Sequence, residues 1–230
     1  MQKYILDKRL LAAASFVPKG AVVADIGSDH AYLPIHLVQT GVAVRALASD
    51  INAGPVEAAR KNILSYGVGE KVAAQRSDGL DGVESFSPDC ITVLGMGGEL
   101  IARIIDRAPW VRKKGIRLIL QPMTHGEILS RYLCEQGFEI VDETIVQDGE
   151  RDDRIYRIIV AEFDGERRTM SDAEHYIGAH NLRRRPDGTE IYIKRLVTML
   201  QTKRQGRIVG GLDCSDVDGL LNELTKYIGE

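Results

Sequence analysis

Apolar residues recur along the chain with two periods, and the places where one gives way to the other divide it into elements. Leu6, Leu10, Ala13, Ala14 and Val17 fall at helical spacing and stop at Pro18, Lys19 and Gly20, which predicts an opening amphipathic helix. Short continuous apolar runs follow at 21–26, 45–51, 71–76, 90–96 and 117–121, as expected of strands covered on both faces in a parallel sheet. Helical patterns lie between them at 30–40, 55–66, 99–108 and 127–136. Thr124 with Glu127 reads as a capping box for the last of these, and Gly137 as its stop. Strands alternating with helices of this length imply right-handed crossovers and a doubly wound sheet.

The alternation then changes. Residues 138–146 and 155–163 read as two strands joined by a polar turn at 147–153, with no room for a helix, so they predict a hairpin and an antiparallel final strand. The expected fold class is α/β: a Rossmann-like doubly wound sheet of about seven strands with an antiparallel last strand, the ending that marks the methyltransferase version of the fold. After Phe163 strand signals cease. Ser171 with Glu174 forms a second capping-box pattern, Ile193, Leu196, Val197 and Leu200 repeat at helical spacing, and Val217, Leu220, Leu221, Leu224 and Ile228 do so again after a break at 206–213. Two domains are therefore expected, a sheet domain at 1–163 and a small helical appendage at 164–230.

Composition narrows the class. With 230 residues, 44% of them hydrophobic and 27% charged, the chain suits one globular domain plus an appendage. No run approaches the roughly 18 apolar residues of a spanning helix, and the start at Met1, Gln2 and Lys3 lacks a signal peptide's apolar stretch, so a cytoplasmic location without a membrane partner is expected. Cys90, Cys134 and Cys214 are widely spaced with no CxxC pair and read as reduced packing residues; no metal is expected. A net charge of −3 conceals a local imbalance. Between Gly178 and Gly210, Arg183, Arg184, Arg185, Lys194, Arg195, Lys203, Arg204 and Arg207 stand against only Asp187 and Glu190, an excess of six positive charges. By itself such a run is either a solvated helix face or a surface for phosphates.

The residues able to carry chemistry stand at the strand ends. The first strand closes on Asp25, Ile26, Gly27, Ser28, Asp29 and His30, where a glycine lets backbone approach a ligand and an acidic group can accept from an ammonium. The GxGxxG cradle for a pyrophosphate is absent, which favours a ligand with an amino acid end, such as S-adenosylmethionine. Asp50, followed by Ile51 and Asn52, ends the second strand where a carboxylate can take both hydroxyls of a ribose. Asp78 and Gly79 follow the third, where a side-chain carboxylate and a backbone amide can pair with an adenine. Each of the three could separately be a turn or a cap; their ordered succession is what points to a nucleoside. Gly95, Met96, Gly97 and Gly98 end the fourth strand and Gln121, Pro122 and Met123 the fifth, leaving space for a flat substrate.

The segments from Asp25 through His30, Tyr32 and Pro34, from Asn52 to Pro55, from Gly95 to Gly98 and from Leu118 through Gln121 to Pro122 resemble the signature segments of the bacterial tRNA (adenine-22 N1)-methyltransferases, a likeness that covers residues 7–163. The resemblance implies S-adenosyl-L-methionine as cofactor and tRNA as partner. It also implies a cofactor site of Arg9, Asp25, Gly27, Ser28, Asp50, Ile51, Asn52, Asp78, Gly79, Gly95 and Met96, and a transfer site of Asp29, His30, Tyr32, Gln121 and Pro122. The basic appendage, through the eight cations named above, would hold RNA, and the enzyme would act as a monomer or weak dimer. Two departures stand out: Met123 occupies the place of the family's usual Asn, and Asp50 that of a usual Glu. The residues alone also leave open a methyltransferase for a small molecule, a dinucleotide-dependent oxidoreductase and a nucleoside-binding module without catalysis.

Overall fold

A computed structural model describes residues 6–149 and 154–228. Part of the polar turn expected at 147–153 lies outside the described residues. Seven strands, β1 (Ala21–Ile26), β2 (Ala43–Asp50), β3 (Val72–Arg76), β4 (Cys90–Gly97), β5 (Arg117–Thr124), β6 (Phe138–Gln147) and β7 (Ile155–Phe163), form one sheet in the order β3-β2-β1-β4-β5-β7-β6. The first five are parallel, and β7 enters antiparallel to β5 and pairs in turn with β6.

Alternation along each strand sends residues to two separate cores. Ala24, Ile26, Ile91, Val93, Leu118 and Leu120 pack under the helices α4 (Gly98–Asp106) and α5 (Gly126–Glu135). Val23, Ala46, Ala48, Cys90 and Ile119 pack under α1 (Lys8–Ser15), α2 (Tyr32–Gln39) and α3 (Ala53–Ser65). Helices on both faces leave the carboxyl ends of the parallel strands as the open crevice where such folds bind ligands.

The start of α5 differs from the expectation. Thr124 does not cap it; pairing of Gly97 with Thr124 carries β5 three residues past Gln121, and His125 turns the chain at φ +53° with no side-chain cap. A Cβ on Gly98 would lie 2.2 Å from the His125 carbonyl oxygen, so this close approach of α4 to the β5–α5 turn requires glycine there.

Beyond β7 come α6 (Asp172–Ile177), α7 (Ala179–Arg184), α8 (Thr189–Val209) and α9 (Ser215–Thr225). The Ser171 and Glu174 capping box is formed in both directions. The expected break at 206–213 is shorter, because Gly206 stays within α8 and the chain turns only after Val209. This region has its own apolar cluster, built on Ile177, Ile193, Leu200, Val217 and Leu224, and the cluster takes in Ile145 of β6 and Ile155 of β7. A buried ion pair reinforces the junction. Arg157 of β7 is paired with Glu143 of β6 and donates to the His175 carbonyl at 2.5 Å, while the His180 N–H donates to the second Glu143 oxygen at 3.3 Å. The hairpin is thus shared between the sheet and the appendage.

Candidate active site

The loop after β1 is closed by backbone. Gly27 and Ser28 N–H groups donate to the Ser49 carbonyl at 2.8 and 2.9 Å, which folds the loop back on the end of β2. Gly27 sits at φ +75°, a conformation that favours glycine, and Met96 Cε fills the space a side chain there would take, at the floor between the ends of β1 and β4. Above it Asp25 is buried, accepting from Thr92 Oγ1 at 2.6 Å. Burial raises its pKa, while bonds from Ser28 and Thr92 and the nearby charge of Arg9 oppose the rise. Among the described residues no basic side chain forms an ion pair with Asp25, so the pocket offers a buried carboxylate to a positively charged ligand group.

Asp50 stands at the next strand end, half-buried, and accepts the Asn52 N–H at 2.7 Å, which fixes the direction of its carboxylate. Asn52 occupies the N-cap position of α3 without a side-chain cap bond. Ile51 is 51% exposed, an apolar surface beside that carboxylate, and Arg76 Nε holds the Ile51 carbonyl at 2.8 Å. A carboxylate for hydroxyls next to an apolar face for a base is the chemistry a nucleoside needs. Gly79 follows at φ +60°, where a Cβ would press on Ile104 at 3.1 Å. Asp78 is more exposed than its expected role suggests and is ion-paired with Arg107 at 2.9 Å, as is Asp81, so it can meet a base only by sharing Arg107.

Around β4 and β5 the polar groups form one chain. Gln121 is fully buried; its Oε1 accepts from Arg9 Nη1 and from the Gly95 N–H, both at 3.1 Å, and its Nε2 donates to the Pro122 carbonyl at 3.0 Å. Gln121 thus braces Arg9, Gly95 and Pro122, which makes it a positioning residue within the expected transfer site. Arg9 lies with its guanidinium carbon 5.6 Å from the centre of the Tyr156 ring, so a single residue links the ends of β1, β4, β5 and β7. At the head of α2, Ala31 adopts φ +58°, His30 Nε2 lies 3.2 Å from the Asp29 carboxylate on the exposed surface, and the rings of His30 and Tyr32 lie 5.2 Å apart.

A cleft of about 810 Å³ opens beside Pro122 and Met123, between the β5–α5 turn, the start of β7 and the first half of α8. Met123 is 54% exposed there. Tyr156 lines this cleft but is hidden in the sequence inside an ordinary strand pattern; likewise only the hydroxyl of Thr92 in an otherwise apolar strand marks the support of Asp25.

The basic run is less bare than its composition implies. Arg184 pairs with Asp142, Arg204 with Asp218 and Arg207 with Asp216, all carboxylates outside the run, and Lys194 pairs with Glu190 inside it. Arg185 donates to the Tyr227 carbonyl at 2.8 Å. Arg183 leans on the Ala179 carbonyl and on His180, and Arg195 and Lys203 have no ion pair with a described carboxylate. The excess of six thus falls to three once the partners folded against it are counted. No helix among the described residues is long and apolar enough to cross a membrane, and no group of three or more His, Cys, Asp or Glu among them could hold a metal ion.

Comparison with known proteins identifies the family to which this fold belongs. The methyltransferase-domain family matches residues 6–159. The tRNA (adenine(22)-N(1))-methyltransferase of Bacillus subtilis is 38% identical over 162 residues, covering 70% of this chain and 67% of its own. Among solved structures, a Streptococcus pneumoniae protein described as a putative tRNA (m1A22) methyltransferase, in complex with S-adenosyl-L-methionine, superposes with a TM-score of 0.84 at 30% identity, over 97% of this chain and 100% of that one. The B. subtilis m1A22 tRNA methyltransferase gives 0.80 at 30% identity, over 97% and 96%.

Proposed function

The chain belongs to the methyltransferase-domain family and, within it, to the tRNA (adenine-22 N1)-methyltransferases, and from that premise we propose that it transfers a methyl group from S-adenosyl-L-methionine to N1 of an adenine in tRNA, adenine 22 by kinship. The observation that carries the reading is the ordered set of strand ends: buried Asp25, glycine-floored Gly27, and Asp50 beside exposed Ile51. These residues fit the cofactor, since a positively charged amino acid end, a ribose diol and a flat base each find a group of matching chemistry. We assign Asp25, Gly27, Ser28 and Arg9 to the amino acid end, Asp50, Ile51 and Asn52 to the ribose and base, Asp78 and Gly79 to the rim of the base, and Gly95 and Met96 to the floor.

The bound cofactor supplies an electrophilic methyl group on a sulfonium. N1 of adenine already carries a lone pair in the ring plane, so the protein needs no strong base at the transfer site. Its task is alignment and exclusion of water. Gly95, Pro122 and the buried Gln121 strut fix the wall of that site; Asp29, His30 and Tyr32 shape its rim at the head of α2. N1 lies on the pairing edge, so the adenine must turn out of any helix it occupies, at roughly a few kcal/mol. The exposed cations of the appendage hold the RNA while it does so. The same reading carries with it action as a monomer or weak dimer in the cytoplasm.

The test is incubation with labelled S-adenosylmethionine and unmodified tRNA, followed by nucleoside analysis. Label in N1-methyladenosine is the expected outcome; label only in another nucleoside, or none in tRNA, rejects the reading.

A further inference from the structure

We propose that the cleft between the end of β5 and α8 seats the substrate nucleotide, with the Tyr156 ring as the platform for its base and Arg195 as the partner of an adjoining phosphate. The inference rests on the function proposed above and adds to it the groups that hold the base.

Position is the first reason. β7 runs antiparallel to β5 with Ile159 opposite Leu120, so Tyr156 stands at the carboxyl edge of the sheet, where it lines the cleft with Pro122 and Met123. Arg9 ties that ring to the transfer site: its guanidinium lies over Tyr156, and its Nη1 shares the Gln121 oxygen with the Gly95 N–H. A ring held by a cation on one face is fixed in orientation before any substrate arrives, which lowers the ordering cost of stacking on it.

Size and charge are the second. About 810 Å³ exceeds what one base fills and suits a nucleotide with its sugar and phosphate. The α8 wall carries Lys194, already paired with Glu190, and Arg195, which has no ion pair with a described carboxylate and so complements a phosphate. Met123 and Met199, about half exposed on opposite walls, offer adaptable apolar flanks. Tyr156, Tyr176 and Tyr192 all line the cleft, and of these it is Tyr156 that Arg9 links to Gln121 at the end of β5. On this account α8 completes the site itself and does more than grip RNA at a distance.

The test uses the full chain with tRNA. Tyr156→Phe keeps the stacking face and should stay near the parent rate. Tyr156→Leu keeps bulk without the π face and should lose about 5- to 100-fold in kcat/KM, with the calorimetric affinity for S-adenosylmethionine unchanged. Arg195→Ala, at an exposed position, should raise KM for tRNA several-fold and leave kcat alone. Parental activity in Tyr156→Leu, or equal losses in the Phe and Leu variants, overturns the platform. If Tyr156→Leu fails to bind cofactor because it misfolds, Arg195→Ala decides, since an unchanged KM there overturns the cleft as the seat. A parent chain that methylates no tRNA removes the functional reading on which the inference stands, whereas an active parent with indifferent variants removes the cleft alone.

Discussion

Asp50, proposed above as the acceptor for the ribose, is held in place by its own backbone neighbour. Its Oδ1 accepts the Asn52 N–H at 2.7 Å, so the carboxylate is held toward the strand end and does not swing in solvent. Replacing it by Ala would leave two ribose hydroxyls without a charged acceptor, a loss of about 1.5–3 kcal/mol, or roughly 10- to 150-fold in Kd. Calorimetry with S-adenosylmethionine should show that weakening in Asp50→Ala; an unchanged Kd would take the ribose away from Asp50. His175 makes a second case. It is buried against Ser130, with Nδ1 3.0 Å from Oγ, and burial, then the charges of Arg131 and Arg157, lower its pKa from 6.5 to about 4. In the native state the ring stays neutral where the unfolded chain takes up a proton. Stability present above pH 6.5 should therefore be lost as pH falls from about 6.5 to about 4, at most about 3 kcal/mol. Urea midpoints measured between pH 7.5 and 4.5 should fall more steeply for the parent than for His175→Gln, and parallel curves would contradict the assignment.

Between elements, the decisive contact is the buried pair Arg157 and Glu143 on the hairpin, which the α6–α7 turn covers. Gly178 has no room for a side chain there, since a Cβ would come within 2.3 Å of Glu143 Oε2. A buried pair adds little net stability over apolar packing, but loss of one partner strands the other charge. Arg157→Met should cost about 3–5 kcal/mol in chemical denaturation, and adding Glu143→Leu should recover most of it. A double variant as unstable as the single one would show that the loss comes from packing and not from the stranded carboxylate. The hairpin carries two buried charges because the appendage packs against it.

For the whole molecule, charge has to be counted after folding. Partners from β6 and α9 reduce the basic excess of 178–210 from six to three, and among the exposed cations Arg183 and Lys203 lie outside the cleft. Surface ion pairs of this kind are weak, so Arg184, Arg204 and Arg207 can still exchange a carboxylate for a phosphate, with less gain than a bare cation has. Arg183→Glu with Lys203→Glu should weaken tRNA binding and flatten the dependence of log K on log salt by roughly 1.4–1.8, with cofactor affinity intact. An unchanged slope would mean these cations are a solvated face. Cutting the chain after residue 163 is a poor substitute for that experiment, because it uncovers Ile145, Ile155 and the Arg157 pair together.

The order of strands and helices, the hairpin ending, the helical appendage and the three acidic strand ends were legible in the sequence, because burial imposes a period on every element and strand termini in this fold are where ligands meet backbone. Local spacing could not decide what depends on residues distant in the chain. Gln121 became a buried strut only because Arg9 and Gly95, 112 and 26 residues away, converge on its oxygen. Thr124 lost its capping role because β4 pairs with β5 that far. The charge of the appendage and the place of Tyr156 at the cleft were likewise settled by which surfaces fold against one another, since an ion pair or a wall exists only when both of its sides are in place.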